Sequence, residues 1–241
     1  MQHGIISSEF GYIPKIAQVD AVYGEFEKQW FQSKSVDPNS IEIFGHPRFD
    51  LLEEGAVVSK RNFNKKLKLS QRKKTILLVV RGKNQLTEWR QFINRLNRLG
   101  NYNILLRDFP NNSNHSLLSE FSHLKSTKGM SLYDVLHHAD AVVVYSSTVA
   151  LESMLANKQV FIFNRPFPGY IGYFDELGDL VHTSPKTLAR AVHQYLNKTI
   201  KVNKINKKQV QFLKQAYPNK NKPSGVRLIK LIEQLTTKKG R

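Results

Sequence analysis

The stretch that decides the fold is residues 139–164, which read ADAVVVYSSTVALESMLANKQVFIFN. Its Val-rich run, 141–145, is typical of a buried parallel strand. A helix is predicted over 149–156, followed by a left-handed stop at Asn157 and a second strand over 159–163. The residues that can cap this helix are Ser146, Ser147 and Thr148. The stretch therefore predicts a strand–helix–strand unit with hydroxyl side chains at the end of its first strand.

In open parallel sheets, ligands bind at the edge where the strands end and the helices begin. The free N–H groups of a helix N-terminus suit a phosphate, so this turn is a candidate phosphate site. Glu152 lies about one turn into the helix, where its carboxylate can accept hydrogen bonds from a ribose. The structural alternative is a capped helix with a surface carboxylate, and the stretch alone does not decide between the two.

Composition narrows the class of protein. The 241 residues are 40% hydrophobic and 23% charged, which is ordinary for a soluble globular chain of one large or two small domains. No apolar run approaches the roughly 20 residues of a membrane-spanning helix, and we expect a cytoplasmic location. The absence of cysteine excludes disulfides and thiol chemistry. The formal charge of +18 predicts a polyanionic partner: nucleic acid, an anionic membrane surface or phosphate-rich substrates.

From residue 75 onward, predicted strands and helices alternate. Strands are expected over 75–80, 102–106 and 180–181, and helices over 86–99, 117–124, 131–138 and 184–195. The helix over 86–99 places Trp89, Phe92, Ile93, Leu96 and Leu99 at helical spacing. This alternation predicts an α/β fold with a doubly wound, Rossmann-like parallel sheet.

Composition also suggests three parts. They are residues 1–58, residues 59–197 and a basic helical tail over 198–241. The first part is expected to hold strands ending near Gly24 and Gly45, with a helix over 25–33 between them. The charged and polar residues 59–74 predict a basic linker or surface excursion.

Four short stretches together resemble a known group of enzymes. They are Gln2-His3-Gly4, residues 43–50 (IFGHPRFD), residues 132–152 with the pattern Leu-x-Asp-x-Leu … Ala-Asp … Ser-Ser-x-x-x-x-Glu, and Ser224-Gly225 with Arg227. With them in this order, the chain resembles the C-terminal, donor-binding half of a GT-B type transferase. The resemblance implies that residues 1–58 are the end of an N-terminal domain with its linker and that residues 59–197 are a nucleotide-binding domain. More narrowly it is similar to the enzymes of bacterial surface polysaccharide and teichoic acid synthesis, namely CDP-glycerol glycerophosphotransferases and capsule glycosyltransferases.

The resemblance implies roles for individual residues. The donor phosphates would sit at Ser146, Ser147 and Thr148, and Glu152 would contact the ribose. Arg107 would neutralise phosphate charge, and His3 would act as the base that deprotonates an acceptor hydroxyl. The structural alternative for His3 is a turn residue. From its place after the first predicted strand of the domain, Arg81 can line the cleft near the sugar or phosphate, and its alternative is surface solvation.

The chain departs from the group's pattern in two places. The group carries a basic-x-His-Pro segment, whereas this chain reads Arg107-Asp108-Phe109-Pro110, so Phe109 stands where the histidine would be. The group also places another domain, on the order of 100–200 residues, before the His-Gly turn. We therefore expect a truncated gene, a fragment, or a chain that works with a partner supplying the missing N-terminal domain.

The leading hypothesis is a transferase domain for cell-surface polysaccharide or teichoic acid assembly, that is, a glycosyltransferase or glycerophosphotransferase fragment. Its donor would be CDP-, UDP- or CMP-linked, its acceptor lipid-linked or polymeric, and its place the inner face of the cell membrane. The alternative is a non-catalytic remnant or binding subunit. A sugar-nucleotide epimerase shares the architecture, but its acidic and histidine set cannot be placed, and no nucleic-acid-binding motif accompanies the charge. We expect no metal site and no cofactor, since His137 and His138 are adjacent on a helix and point about 100° apart.

Overall fold

The computed structural model describes residues 1–2, 4–53, 55–108, 115–164, 169–198, 202–218 and 223–237. The described strands are β1 (Asp20–Val22), β2 (Ile41–Ile43), β3 (Thr75–Val80), β4 (Asn103–Asp108), β5 (Leu124–Ser126), β6 (Ala141–Val144), β7 (Gln159–Phe163) and β8 (Val181–His182). The described α-helices are α1 (Glu25–Ser33), α2 (Pro47–Asp50), α3 (Lys60–Leu67), α4 (Leu86–Leu99), α5 (Ser116–Glu120), α6 (Leu132–His138), α7 (Thr148–Leu155), α8 (Pro185–Leu196), α9 (Val202–Ala216) and α10 (Ser224–Thr237).

The chain forms two compact units. Unit 1 comprises Met1–Glu54, Pro168–Tyr173 and Val210–Arg241, and unit 2 comprises Gly55–Phe167 and Phe174–Gln209. The three-part division suggested by composition draws other boundaries and stays a prediction.

Unit 2 is built on a six-stranded parallel sheet in the order β5-β4-β3-β6-β7-β8. Val79 of β3 lies between Arg107 of β4 and Val144 of β6. Every residue of β3, β6 and β7 is buried, as expected for strands covered on both faces. The chain runs outward from β3 to β5 and then returns to β6, so the strand order reverses between β3 and β6. The predicted doubly wound parallel sheet is confirmed.

The helices of unit 2 follow from local signals in the sequence. Trp89, Phe92, Ile93 and Leu96 form the buried stripe of α4. Leu99 was expected to belong to that stripe, but its side chain is 42% exposed because it lies at the edge of the stripe in the last turn. Hydroxyls of two serines cap helices as predicted: Ser131 accepts a hydrogen bond from Tyr133 N–H, and Ser184 accepts one from Lys186 N–H.

Two expectations are wrong. The predicted basic excursion over 59–74 contains α3, whose Phe63 is fully buried against the ring of His138, with centroids 4.6 Å apart. One apolar residue thus anchors a helix that is otherwise polar. The single helix expected over 117–124 is instead α5 followed by β5, because Phe121 adopts an extended conformation and Leu124 pairs with β4.

Unit 1 contains the parallel pair β1 and β2 beside α1. Its apolar cluster consists of Ile6, Val22, Trp30, Phe31 and Ile41. Gly24, between β1 and α1, has no room for a side chain, because a Cβ atom would lie 2.2 Å from the carbonyl oxygen of Gln215. Asp50 at the end of α2 accepts hydrogen bonds from the N–H groups of Ser224 (3.0 Å) and Gly225 (2.9 Å), which begin α10. Two of the four stretches that carry the resemblance therefore meet in space.

Glu27 on α1 is a fully buried carboxyl group in unit 1. It accepts hydrogen bonds from Gly24 N–H (3.0 Å) and from the Gln2 side-chain amide (3.2 Å). Burial raises its pKa from the ordinary 4.5 to about 7, and hydrogen bonds, among them one with Tyr173, only partly oppose this. The carboxyl group is therefore protonated in the folded chain at mildly acidic pH.

This burial predicts that stability falls as pH rises. Between pH 4.5 and about 7 the folded state keeps the Glu27 proton while the unfolded state releases it. At about 1.4 kcal/mol per unit of pKa, the loss is about 3 kcal/mol, and it is complete above the folded pKa. Urea unfolding across this range should show the loss in the wild type but not in Glu27→Gln. The exposed neighbour provides the control: Glu25→Gln should keep the wild-type profile, and an unchanged profile in Glu27→Gln would contradict the prediction.

Candidate functional site

The candidate site lies at the carboxyl edge of the unit 2 sheet, where β3, β4 and β6 end side by side. Val80, the last residue of β3, is opposite Asp108, the last residue of β4. Arg81 follows β3, and Tyr145 follows β6, which is the neighbour of β3 on the other side. This edge includes the reversal of strand order, the place where open α/β sheets leave a crevice for ligands.

The loop that carries Arg81 is held by two buried side chains. The Asp108 carboxylate accepts a hydrogen bond from Gly82 N–H at 2.7 Å. His115 Nδ1 accepts from Leu117 N–H, which leaves the proton on Nε2 to be donated to the Gly82 carbonyl at 2.6 Å. Gly82 is itself left-handed, with φ of +51°. Both the N–H and the carbonyl group of Gly82 are therefore hydrogen-bonded, which fixes the loop at the carboxyl edge of the sheet.

Tyr145 lies at the end of β6, next to the end of β3. Burial raises the pKa of its hydroxyl, and the positive charge of Arg81 and the nearby Ser147 hydroxyl act in the opposite direction. The negative charge of Asp108 adds to the increase. These four residues are thus close enough to influence one another, although they come from three separate segments of the chain.

The helix that begins at this edge is α7. Ser147 is its N-cap residue in an extended conformation, and its side chain makes no capping hydrogen bond to the helix. The Oγ atom of Ser146 is buried and has no hydrogen-bond partner among the described residues. Asn157 adopts the predicted left-handed conformation just after the helix, with φ of +57°. The turn therefore offers N–H groups of the first helical turn together with two serine hydroxyls that do not cap them.

Glu152 and Arg107 form the inner part of the site. Glu152 is 2% exposed, so its interpretation as a surface carboxylate is wrong. Burial lowers the pKa of Arg107, and the negative charge of Glu152 opposes that effect. Arg107 also donates a hydrogen bond to the Met130 carbonyl at 3.2 Å. The buried carboxylate of Glu152 therefore stabilises the positive charge of the Arg107 guanidinium.

The structure brings all six predicted donor-site residues to one edge of the sheet: Arg81, Arg107, Ser146, Ser147, Thr148 and Glu152. His3 and Phe109 lie outside the described residues. Sequence reasoning missed Asp108, His115 and Tyr145 as site residues. Asp108 and Tyr145 adjoin strand ends that were predicted, whereas nothing near His115 in the sequence indicates its contact with Gly82. Within the described part of the chain, no group of three acidic or histidine side chains is placed to hold a metal ion.

No protein-family model matches the chain, and no curated protein matches its sequence. Solved structures do match. The wall teichoic acid polymerase TagF superimposes with a TM-score of 0.61 at 18% identity, over 90% of this chain. The UDP-GlcNAc 2-epimerase of Methanocaldococcus jannaschii gives 0.62 at 15% identity over 90% of this chain, and a putative one from Listeria monocytogenes gives 0.64 at 11% over 91%. This chain has a GT-B-like fold. The resemblance to GT-B transferases of surface-polymer synthesis is thus confirmed at the level of the fold.

The chain spans only part of these neighbours. It covers 59% of TagF, 61% of the Methanocaldococcus epimerase and 60% of the Listeria protein. A polymerase and epimerases match almost equally well. The structural similarity therefore identifies the fold but not the reaction.

The anchored loop can be tested directly. Asp108→Ala removes the carboxylate that accepts a hydrogen bond from the partly buried Gly82 N–H, which should lower the free energy of unfolding by about 1–3 kcal/mol. Hydrogen exchange at Gly82 should accelerate at the same time. The matched control is Asp179→Ala, which removes a 73% exposed side chain paired with Lys208 and should change stability by less than about 0.5 kcal/mol. Equal effects of the two substitutions would remove the structural role given to Asp108.

Proposed function

We propose that unit 2 is the donor-binding domain of a transferase that uses a nucleotide-activated sugar or glycerol phosphate for cell-surface polysaccharide or teichoic acid assembly. The observation that carries the proposal is the convergence of the α7 N-terminus, Arg81 and Arg107 at the reversal of strand order. An N-terminal helix end and two guanidinium groups suit a diphosphate, because all of them stabilise negative charge. Among the structural neighbours, a TagF variant was soaked with CDPG and the Methanocaldococcus epimerase was solved with UDP-GlcNAc and UDP.

The chemistry follows from this charge distribution. An acceptor hydroxyl attacks the sugar carbon or the phosphorus of the donor, the bond to the nucleotide phosphate breaks, and the electron pair leaves with the nucleotide. The α7 N–H groups and the arginines stabilise the charge that develops on the leaving group. Glu152 offsets part of the effect of burial on the partly buried Arg107 guanidinium, and it is also proposed to contact the ribose. His3 is proposed to take the acceptor proton.

Isothermal titration calorimetry with CDP, UDP and CMP tests the donor site. Removing one charged contact in Arg81→Met should weaken binding at least about tenfold, since a hydrogen bond to a charged group contributes about 1.5–3 kcal/mol. Ser147→Ala and Glu152→Gln should also weaken it. Arg98→Met removes an exposed arginine from the last turn of α4 and should leave binding unchanged. If the folded chain binds none of the three nucleotides, the donor-site proposal fails.

The second candidate is a non-catalytic remnant or binding subunit, which the replacement of the group's histidine by Phe109 favours. Such a chain would bind a nucleotide without consuming it. A transfer assay with a lipid-linked or polymeric acceptor, performed with and without a separately supplied first domain, separates the candidates. Turnover only with that domain would identify it as the partner, and a UDP-GlcNAc epimerisation assay would reveal the third activity compatible with the fold.

A peripheral membrane location, at the inner face of the cell membrane, is part of the proposal, and helix α10 of unit 1 supports it. Its apolar residues Val226, Ile229 and Ile232 are 56%, 59% and 53% exposed. Lys230 is an exposed basic residue of the same helix, and the sequence after the helix contains Lys238, Lys239 and Arg241. An apolar face flanked by cations matches an anionic lipid surface, where acyl chains and headgroups accept the two kinds of group. Within the described residues, no helix has the length and hydrophobicity needed to cross a bilayer.

Sedimentation with phosphatidylcholine vesicles, with and without phosphatidylglycerol, tests the contact. Binding should require phosphatidylglycerol and should fall by at least about tenfold in Ile229→Gln/Ile232→Gln, because burying an isoleucine contributes about 1.5–3 kcal/mol. Val57→Gln alters a 93% exposed residue of unit 2 and should bind as the wild type does. Equal loss in both variants, or a salt-resistant dimer that disappears in the double variant, would contradict the membrane assignment.

A further inference from the structure

A second cleft lies at the amino edge of the unit 2 sheet, at the opposite ends of the strands from the donor site. Its volume is about 490 Å³, within the range of small-molecule sites. The lining comes from the segment before α3, the end of α6 and the turn before β7: Ala56, Val58, Ser59, Lys60, His137, His138, Ala139, Asp140 and Lys158. His137 and His138 both line this cleft.

Two lysines from distant segments meet at this cleft. The Lys60 ammonium donates a hydrogen bond to the carbonyl of His138 at 2.6 Å, and the Lys158 ammonium donates one to the carbonyl of His137 at 2.7 Å. Since those carbonyls belong to adjacent residues, the two ammonium groups are held near each other. Each ammonium has three N–H donors, so capping the end of α6 leaves further donors on both lysines.

The acidic groups near these lysines are already engaged. Asp140 accepts hydrogen bonds from Thr75 N–H (2.8 Å) and from the Lys74 ammonium (3.1 Å). Asp134 accepts from the backbone N–H groups of Val57 and Val58. Asp140 pairs with Lys74 and also interacts electrostatically with Lys60 and Lys158, so one carboxylate is shared by three ammonium groups and positive charge remains at the cleft.

Burial and mutual repulsion disfavour the charged form of both lysines. Burial lowers the pKa of Lys60, and the charge of Lys74 adds to the effect, whereas Asp140 opposes it. Burial likewise lowers the pKa of Lys158, with Lys60 contributing repulsion and Asp140 opposing both. A bound anion would reverse these effects, because it replaces lost hydration and cancels the repulsion.

We propose that this cleft binds a phosphate-bearing ligand through Lys60 and Lys158. Ser59, the N-cap residue of α3, lies beside Lys60 in the lining, so the N-terminus of that eight-residue helix adds a favourable dipole. The buried imidazole of His138 contacts the carbonyl of Val58 (2.6 Å) and holds the segment before α3 against α6. The site does not depend on the proposed transferase function, because it shares no residue with the donor site.

The experiment is an NMR titration of the full chain with inorganic phosphate, pyrophosphate and glycerol phosphate, at constant ionic strength. Amide shifts should map to Ser59, Lys60, His138 and Lys158. Lys60→Met/Lys158→Met should weaken binding at least about tenfold, since two charge-assisted contacts are lost. The control Lys65→Met/Lys66→Met removes the same charge from exposed positions of α3 and should bind within about twofold of the wild type.

Each outcome decides the proposal. Equal weakening in both double variants would mean nonspecific attraction to a chain of charge +18 and would overturn it, as would shifts confined to the carboxyl edge. If the Lys60/Lys158 variant does not fold, the wild-type shift map decides alone.

A parallel titration with phosphatidic acid vesicles identifies the source of the phosphate group, since a free phosphate ester and a lipid headgroup present the same chemistry. Arg81→Met alters only the donor site and should leave phosphate binding at the cleft unchanged. A failure of the cleft proposal can therefore be distinguished from a failure of the donor-site proposal.

Discussion

Parallel strand pairing is the constraint on which the rest of unit 2 depends. Each parallel pair needs a crossover connection, so all six strands end at the same edge and every following loop gathers there. The order of the strands then determines which loops are neighbours. Because β3 lies between β4 and β6, Arg81, Asp108 and Tyr145 become adjacent although 64 residues of sequence separate the first from the last. The candidate donor site is a consequence of that order.

Partly buried cations lie at both edges of this sheet. At the carboxyl edge, Arg107 is partly buried and compensated by the carboxylate of Glu152. At the amino edge, Lys60 and Lys158 cap the end of α6 and are compensated mainly by Asp140. Burying a cation has a free-energy cost that a nearby anion reduces. Cations that are partly buried with incomplete compensation are therefore better candidates for anion sites than the many exposed lysines.

Unit 1 shows how weak sequence signals gain meaning from contacts. Asp50 and Ser224-Gly225 belong to two short stretches that carry little information separately. In the structure, the Asp50 carboxylate accepts hydrogen bonds from the first two N–H groups of α10. The Tyr217 hydroxyl accepts a hydrogen bond from the backbone N–H of His46 at 2.8 Å and shares another with the Ser224 hydroxyl at 3.1 Å, so this side chain bridges the same two segments. Helix α10 is thus attached to α2 and to its N-cap residue His46.

The sequence by itself determined the elements whose signals are local. The bounds of β3, β7, α1 and α4 were predicted to the residue, because apolar periodicity, glycine stops and serine caps act within a few positions. The donor-site turn at Ser146 and Ser147 was predicted for the same reason. Only the tertiary structure decided that α3 packs through Phe63, that Glu152 is buried beside Arg107, and that Asp108 and His115 hold Gly82. Those features depend on residues that are distant in the chain, and neither composition nor periodicity records which distant residues will meet.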